Sequence, residues 1–309
     1  MDIKVTSLLN KKSPTTTTLK SYNINNPFRE LKLKIIEEFN IKLPYTKIGI
    51  SYSYSSSSSP NTKDKLPMSQ DTRLIKHYDN FSKDSELFIT DIGIQISTKL
   101  SYTLIYIVPL LLPFIYYYFL LHKRNYQIKQ TQTLCLFMST FHYGKRLIEC
   151  LFIHIFSRDT MSLNDLIKKC IYYWGVYGVI CGYCIWNVKY KERSLFVSVR
   201  YLFIVLFFSA EIKNMKCHLL QRESKVKNKG RKGVLKGEGF ELVTCANYFW
   251  EMLSWLCFSV FVFHWSVFVF MVIGFYQMRV KAVKNHLEMI RKYGKKYPSQ
   301  RRILIPYFF

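Results

Sequence analysis

The chain has 309 residues, 45 Lys and Arg against 20 Asp and Glu, a net charge of +25, and 49% hydrophobic residues. That apolar fraction excludes an ordinary soluble basic protein, and that much charge excludes a chain lying wholly within a membrane. Lys and Arg gather in 213–236 and 281–302, next to long apolar runs and without any DNA- or RNA-binding motif. Nucleic acid is therefore not an expected partner, and the pattern is that of a polytopic membrane protein with basic loops.

Residues 1–9 alternate apolar and polar, so the chain is expected to open on a strand and not on a cleavable signal peptide. A second strand is predicted over 16–24, an amphipathic helix over 28–39 and a third strand over 47–54. The serine run at 55–59 with Pro60 predicts a loop, and 86–92 a strand that closes the sheet. This order, with Asp71-Thr72-Arg73-Leu74-Ile75-Lys76-His77-Tyr78 before the last strand, resembles a ubiquitin-like β-grasp domain. Residues 1–92 are thus expected as a cytosolic ubiquitin-like domain and 93–309 as an all-α membrane domain.

Residues 102–121 are long enough to cross a bilayer at 1.5 Å rise per residue, with Pro109 and Pro113 expected to kink the helix. Further spans are predicted at 133–156, 170–186 and 195–212. The apolar run 246–278 exceeds one crossing and reads as two packed helices, a single long tilted helix being the alternative. About six spans place both chain ends on one side, and the basic 213–245 and 279–309 make that side cytosolic. Lys123, Arg124, Lys189, Lys191 and Arg193 then face the lumen, against the charge rule.

The eight cysteines sit mostly in apolar segments at scattered spacings, which implies neither a disulfide framework nor a zinc site. Cys181 and Cys184 form a C-x-x-C inside a predicted membrane helix, where packing is the expected role. Gly230, Gly233, Gly237 and Gly239 follow no strand and complete no dinucleotide fingerprint. The histidines lack the clustering of a membrane di-iron enzyme, so no metal is expected, and no hydrolase motif is present.

What remains is a run of ionisable residues inside an apolar helix. His142, Lys145, Arg146 and Glu149 fall at i, i+3, i+4 and i+7 and share one stripe. A charge at the bilayer centre costs about 2.5–3.5 kcal/mol, so such a set is expected either on an active-site face or as a structural ion pair between helices. A second polar stripe holds Asn247, Glu251 and Ser254, with Tyr248 beside it. Downstream, His286 precedes a basic aromatic tail from Tyr297 to Phe309, read either as an interfacial anchor or as a segment closing over a phosphate-bearing ligand.

Three stretches within 133–309 together resemble the very-long-chain trans-2-enoyl-CoA reductases of the endoplasmic reticulum, in the wider steroid 5α-reductase family. They are His142-Tyr143 with Lys145-Arg146-Leu147 and Glu149, running on through Phe152-Ile153-His154, Thr160-Met161 and Tyr172-Tyr173-Trp174-Gly175. The second is Leu242-Val243-Thr244-Cys245-Ala246-Asn247-Tyr248 with Glu251 and Trp255, and the third Gln277-Met278, His286 and Tyr297-Pro298 through Ile305-Pro306. The ubiquitin-like module is also carried by these reductases. One departure is Ala246, where enoyl-CoA reductases typically have Pro and some steroid reductases Ala; Lys145-Arg146 with Glu149 favours the enoyl-CoA side.

The resemblance implies NADPH-dependent reduction of a trans-2-enoyl-CoA, the last step of very-long-chain fatty acid elongation, in a multi-pass endoplasmic reticulum protein. Long-chain enoyl-CoA, membrane lipid and other elongation enzymes are the implied partners. Hydride delivery to the β-carbon pushes charge onto the thioester oxygen, so the site needs a donor there and an acid at the α-carbon. Tyr248 is the first choice for the acid, with Lys145 and Arg146 as nearby cations and Glu149 as their partner; Tyr143 is the alternative. Asn247, Glu251 and His286 are the implied cofactor contacts, with Arg302 a candidate for a phosphate. The competing functions are a reductase of 3-oxo-4-ene steroids or polyprenols, a prenylcysteine methyltransferase, and a non-enzymatic channel or scaffold.

Overall fold

The computed structural model describes residues 2–9, 15–20, 22–56, 59–68, 75, 85–192, 197–228 and 232–308. The expected features at 71–74, 76–78, Arg193, Leu195 and Gly230 lie outside them. The chain forms two compact units: Met1–Leu100 with Phe156–Asp165 and Arg291–Gly294, and Ser101–Ile155 with Leu166–Ile290 and Lys295–Phe309.

The first unit is built on five strands and one helix. These are β1 (Ile3–Ser7), β2 (Thr15–Leu19), α1 (Phe28–Glu38), β3 (Ile48–Ser56), β4 (Ser59–Met68) and β5 (Leu87–Asp91), in sheet order β2-β1-β5-β3-β4. β1 and β5 pair in parallel, Val5 opposite Leu87, and the other neighbours are antiparallel. Every second residue of β1, β3 and β5 points inward, which buries Ile3, Val5, Ile48, Ile50, Leu87 and Ile89. α1 answers with Phe28, Leu31 and Ile35 at helical spacing, all at most 2% exposed. Truncating one of these to alanine costs about 2–5 kcal/mol.

Of the loop predicted at 55–60, residues 55–56 end β3 and 59–60 open β4, while 57 and 58 lie outside the described residues. The stretch is polar because β4 is the edge strand, held by backbone pairing with β3 from Ile50–Met68 to Ser56–Ser59, and an edge tolerates Pro60 and Pro67. Beyond the sheet, β6 (Gln95–Ser97) pairs with β7 (Thr160–Ser162) as a separate ribbon.

The second unit is helical. α2 (Thr98–Leu121) runs on through both prolines, and α3 (Gln130–Ile148) passes into a π-helical stretch, Glu149–Ile153. α4 (Leu163–Cys170) leads into a second π-helical stretch, Ile171–Cys181, and then α5 (Gly182–Ile185). α2 lies close against it: a Cβ at Gly178 or Gly182 would meet Leu112 or Tyr116 at 2.6 and 2.7 Å. All eight cysteines are free, and Cys181 Sγ donates to the Ser266 carbonyl, a packing role.

α6 (Val197–Lys227) is 31 residues long, so 213–227 is helix where the charge pattern predicted loop. The reason is local: no Gly or Pro interrupts the chain between Val197 and Lys229, and Lys, Arg, Gln and Leu are good helix formers.

The 246–278 run is two helices, α7 (Ala246–Val262) and α8 (Trp265–Tyr293). Phe263 stops α7 in the left-handed conformation (φ 50°, ψ 48°), and the His264 ring starts α8 by accepting the Ser266 N–H at 3.3 Å. Among the described residues two helices are long and apolar enough to cross a membrane, Thr98–Leu121 and Trp265–Lys296. They leave Phe114, Ile115, Phe119, Val269, Val272 and Tyr276 exposed.

Candidate functional site

The ionisable stripe of α3 is largely buried and ion-paired to its surroundings. Glu211 and Asn214 on α6 receive Lys145, whose Nζ lies 2.7 Å from Glu211 Oε2 and 2.5 Å from Asn214 Oδ1. His142 Nδ1 sits 2.8 Å from Glu211 Oε1. Glu149, fully buried at the start of the π-helical stretch, has Arg146 Nη1 and His218 Nδ1 each 3.0 Å from its Oε2, with Lys145 3.7 Å from Oε1. Neither charge set is stable alone, since stripping one partner from a buried pair costs about 3–5 kcal/mol.

Glu149, His154 and His218 bring their donor atoms within 4.8 Å of one another, near enough to hold a metal. The carboxylate oxygen of that trio, however, is the one already bound to Arg146, so its charge is neutralised by an organic cation.

The cluster reaches the head of α7 through one residue. Asn214, which accepts from Lys145, donates Nδ2 to the Asn247 carbonyl at 2.7 Å. Just before α7 the chain turns on Gly237 and Gly239, at φ +88° and +94°, and Trp250 Nε1 donates to the Glu238 carbonyl between them. The tail locks the same place from the other side. Arg302 N–H bonds Leu242 O, and Thr244 and Cys245 N–H bond the Arg302 and Ile303 carbonyls at 2.9 and 3.3 Å.

Two cavities open there. The first is lined by Lys225, Lys232, Arg301, Thr244, Asn247 and Tyr248 among others, with three cations and no carboxylate in its wall. At Gly233 a Cβ would come within 2.5 Å of Ser224 Oγ, so the chain lies close against α6 there. Lys225 donates to the Ile155 carbonyl at 2.5 Å, and burial pushes its ammonium down to about 8. The second cavity is aromatic, with Tyr106, Tyr173, Trp255 and Phe270 around Arg146 and Glu251.

Of the expected residues, Tyr248 lines both cavities, and its hydroxyl makes no hydrogen bond among the described residues. Arg146 enters the second cavity with Nη2 on the Tyr106 hydroxyl at 3.1 Å. Glu251 lines it too, buried and without an ion pair among the described residues, while Asn247 faces the first. Tyr143 lines neither: it is fully buried among His142, Tyr177 and Trp255, its hydroxyl unpartnered. Lys145 and Glu149 stay in the ion cluster. His286 stands one layer back, its Nδ1 2.5 Å from Thr244 Oγ1, which also meets the Tyr297 hydroxyl. Arg302 points its side chain to the outside, and the neighbouring Arg301 is the arginine in the cavity wall, buried and bonded to the Leu235 carbonyl.

Glu211, Asn214 and His218 were missed by sequence reasoning. They lie at i, i+3 and i+7 of one helix, a stripe that was legible but hidden by ending the span at Ile212. Ala246 is the first residue of α7, the position where proline fits a helix best, so the departure noted there is a local matter of helix initiation.

Residues 159–309 match the 3-oxo-5-alpha-steroid 4-dehydrogenase family. A very-long-chain enoyl-CoA reductase of Dictyostelium discoideum is 31% identical over 99% of both chains. A Caenorhabditis elegans protein named as a probable very-long-chain enoyl-CoA reductase is 28% identical over 73% of this chain and 76% of its own. The trans-2,3-enoyl-CoA reductase-like protein of Bos taurus is 26% identical over 72% and 63%. With full-length similarity above 30% to such a protein, the chain belongs to the very-long-chain enoyl-CoA reductase family.

Proposed function

We infer that the reaction centre lies where the two cavities share Tyr248 as a wall, the observation that carries this reading. The enzyme is an oxidoreductase acting on a carbon–carbon double bond, that of an enoyl-CoA thioester. The three cations of the first cavity, among them Lys232 which also pairs with Glu288 at 2.9 Å, fit an anionic dinucleotide, so we assign this cavity to NADPH. Lys225, Lys232 and Arg301 would hold its phosphates; Asn247, with Glu251 across Tyr248, would face its reactive end. When bound, NADPH supplies the hydride for the β-carbon of the substrate.

The chain's own groups do the rest. Tyr248 carries a phenol proton that stays on at neutral pH and has no other partner to hold it, which suits an acid for the α-carbon. Arg146, fixed by Glu149 and Tyr106, offers a cation to the thioester oxygen as negative charge develops there. Lys145, Asn214 and Glu211 hold the Asn247 end of α7 in place and act as positioning residues. Tyr143 is given no proton-transfer role.

We further propose a multi-pass endoplasmic reticulum protein with both ends cytosolic, working in fatty acid elongation beside the other elongation enzymes. Residues 1–92 would be its ubiquitin-like β-grasp domain, a reading supported by the β2-β1-β5-β3-β4 order around one helix, and 93–309 the reductase. Purified protein incubated anaerobically with NADPH and a trans-2-enoyl-CoA should oxidise one NADPH per saturated acyl-CoA formed, with NADH a poorer donor. Oxidation with a 3-oxo-4-ene steroid and none with the enoyl-CoA overturns the substrate assignment.

A further inference from the structure

The second cavity is graded along its length. At one end Trp255 and Phe270 are at most 6% exposed and the wall is aromatic; at the other stand Lys169, at the end of α4, and Lys281 on α8, whose side chain reaches the outside. Lys281 forms a stripe with Gly274, Gln277 and Met278 at i+7, i, i+3 and i+4, and all four line the cavity. Along the opposite wall, Tyr102 and Tyr106 stack one turn apart on α2, ring centroids 5.8 Å apart. Each carries a cation: Lys169 Nζ bonds the Tyr102 hydroxyl at 3.1 Å and sits 4.5 Å over its ring, and Arg146 bonds Tyr106.

Three cations therefore face one carboxylate, Glu251, in this wall, and two of the three crowd one end within electrostatic reach of each other. Lys169 and Lys281 thus stand beside an aromatic slot with Tyr102 between them and the rest of α2. Like charges so placed repel, and an anion between them relieves that repulsion.

We propose that Lys169 and Lys281 form an anion clamp at the mouth of the second cavity that holds the phosphate groups of the coenzyme A moiety, while the aromatic end takes the enoyl thioester. This rests on the enoyl-CoA reading of the site and adds which residues recognise the nucleotide half of the substrate. The apolar, buried floor and cationic, exposed mouth match the polarity of an acyl-CoA from thioester to nucleotide. A neutral steroid or polyprenol offers no anionic group to either lysine.

The test compares trans-2-hexadecenoyl-CoA with the same acyl group on pantetheine, which lacks the nucleotide phosphates, at saturating NADPH. In Lys169→Gln and Lys281→Gln the preference for the CoA ester, as a ratio of kcat/KM values, should fall about ten-fold each, the worth of a charge-assisted contact. Wild-type enzyme supplies a second readout needing no variant: kcat/KM for the CoA ester should drop steeply with ionic strength while that for the pantetheine ester stays flat. An unchanged ratio in both variants, an equal loss on both esters, or the same salt dependence for both overturns the clamp. If wild-type enzyme reduces neither ester, the enoyl-thioester reading itself has failed and the clamp falls with it.

Discussion

The α3–α6 ion cluster and the wall around Tyr248 lie side by side and treat polar groups in opposite ways. In the cluster, Glu149, Glu211, Lys145 and His142 all find charged partners within 4 Å, and the set is closed to the outside. Around the cavities, Tyr248 and Glu251 are left without such partners, and cations outnumber carboxylates. Charge in an apolar helix therefore marks two different jobs. Where each group is neutralised internally it fixes the helices; where it is left open to a cavity it is available to a ligand. Arg146 does both, held by Glu149 on one side and lining the second cavity on the other.

The sharpest way to break this contrast is at Tyr248. Tyr248→Phe keeps the ring and removes only the hydroxyl, so turnover should fall about 10²–10⁴-fold while the melting temperature and NADPH affinity hold near wild type. Turnover within a few-fold of wild type would remove Tyr248 from the chemistry and reopen Tyr143.

On the cluster side the expected signature is the reverse, a loss of fold that drags activity with it. Glu211→Gln leaves Lys145 and His142 facing a neutral amide in a closed site, at a cost of about 3–5 kcal/mol, seen as a lower melting temperature in detergent. A variant with normal melting and slow turnover would move Glu211 from the scaffold into the chemistry.

A pH series probes the first cavity through Lys225. Its ammonium is held down to about 8 by burial, so in the free enzyme it is charged below that pH and neutral above. Affinity for an anionic cofactor is present at low pH and lost as pH rises, and KM for NADPH should climb about ten-fold from pH 7 to pH 9. The sign for stability is opposite: burying the charged form costs most below pH 8, and that cost fades as the group loses its proton. A flat KM profile separates Lys225 from cofactor binding. The smallest effect is expected of neighbours: Arg301→Ala should raise KM for NADPH about ten-fold, whereas Arg302→Ala, an exposed side chain, should change it less than about two-fold.

The sequence carried much of this arrangement and lost the rest for physical reasons. Period-two burial in β1, β3 and β5 and the helical spacing of Phe28, Leu31 and Ile35 were legible because those elements each bury one face. β4 was not, because an edge strand is fixed by its neighbour's backbone and does not need apolar residues. Glu211, Asn214 and His218 escaped notice because hydropathy ends a helix where charge begins, whereas the backbone of α6 continues until the glycines. The choice between Arg301 and Arg302 depends on which one the bridge between Val243 and Arg302 turns outward, a register that side-chain chemistry does not encode. Tyr248 was named from its neighbours in sequence; its place between two cavities comes from folding.

The chain reversal at Phe263 and His264 also bears on how the protein is made. α7 has 17 residues, about 26 Å at 1.5 Å each, and carries Asn247, Glu251 and Ser254 buried along it. Those polar side chains are costly to place in lipid alone, whereas α8 is long and apolar enough to cross a membrane. In the proposed multi-pass arrangement, α7 enters the membrane together with α8 as a helical hairpin. The polar face of α7 is then covered by α6, whose Asn214 donates to the Asn247 carbonyl, by α3 with His142 against Trp255, and by α8 with Phe270 against the same ring. A chain truncated after Val262 and freed from the ribosome should therefore leave α7 open to protease, whereas the full-length chain, with α8 in place, should protect it.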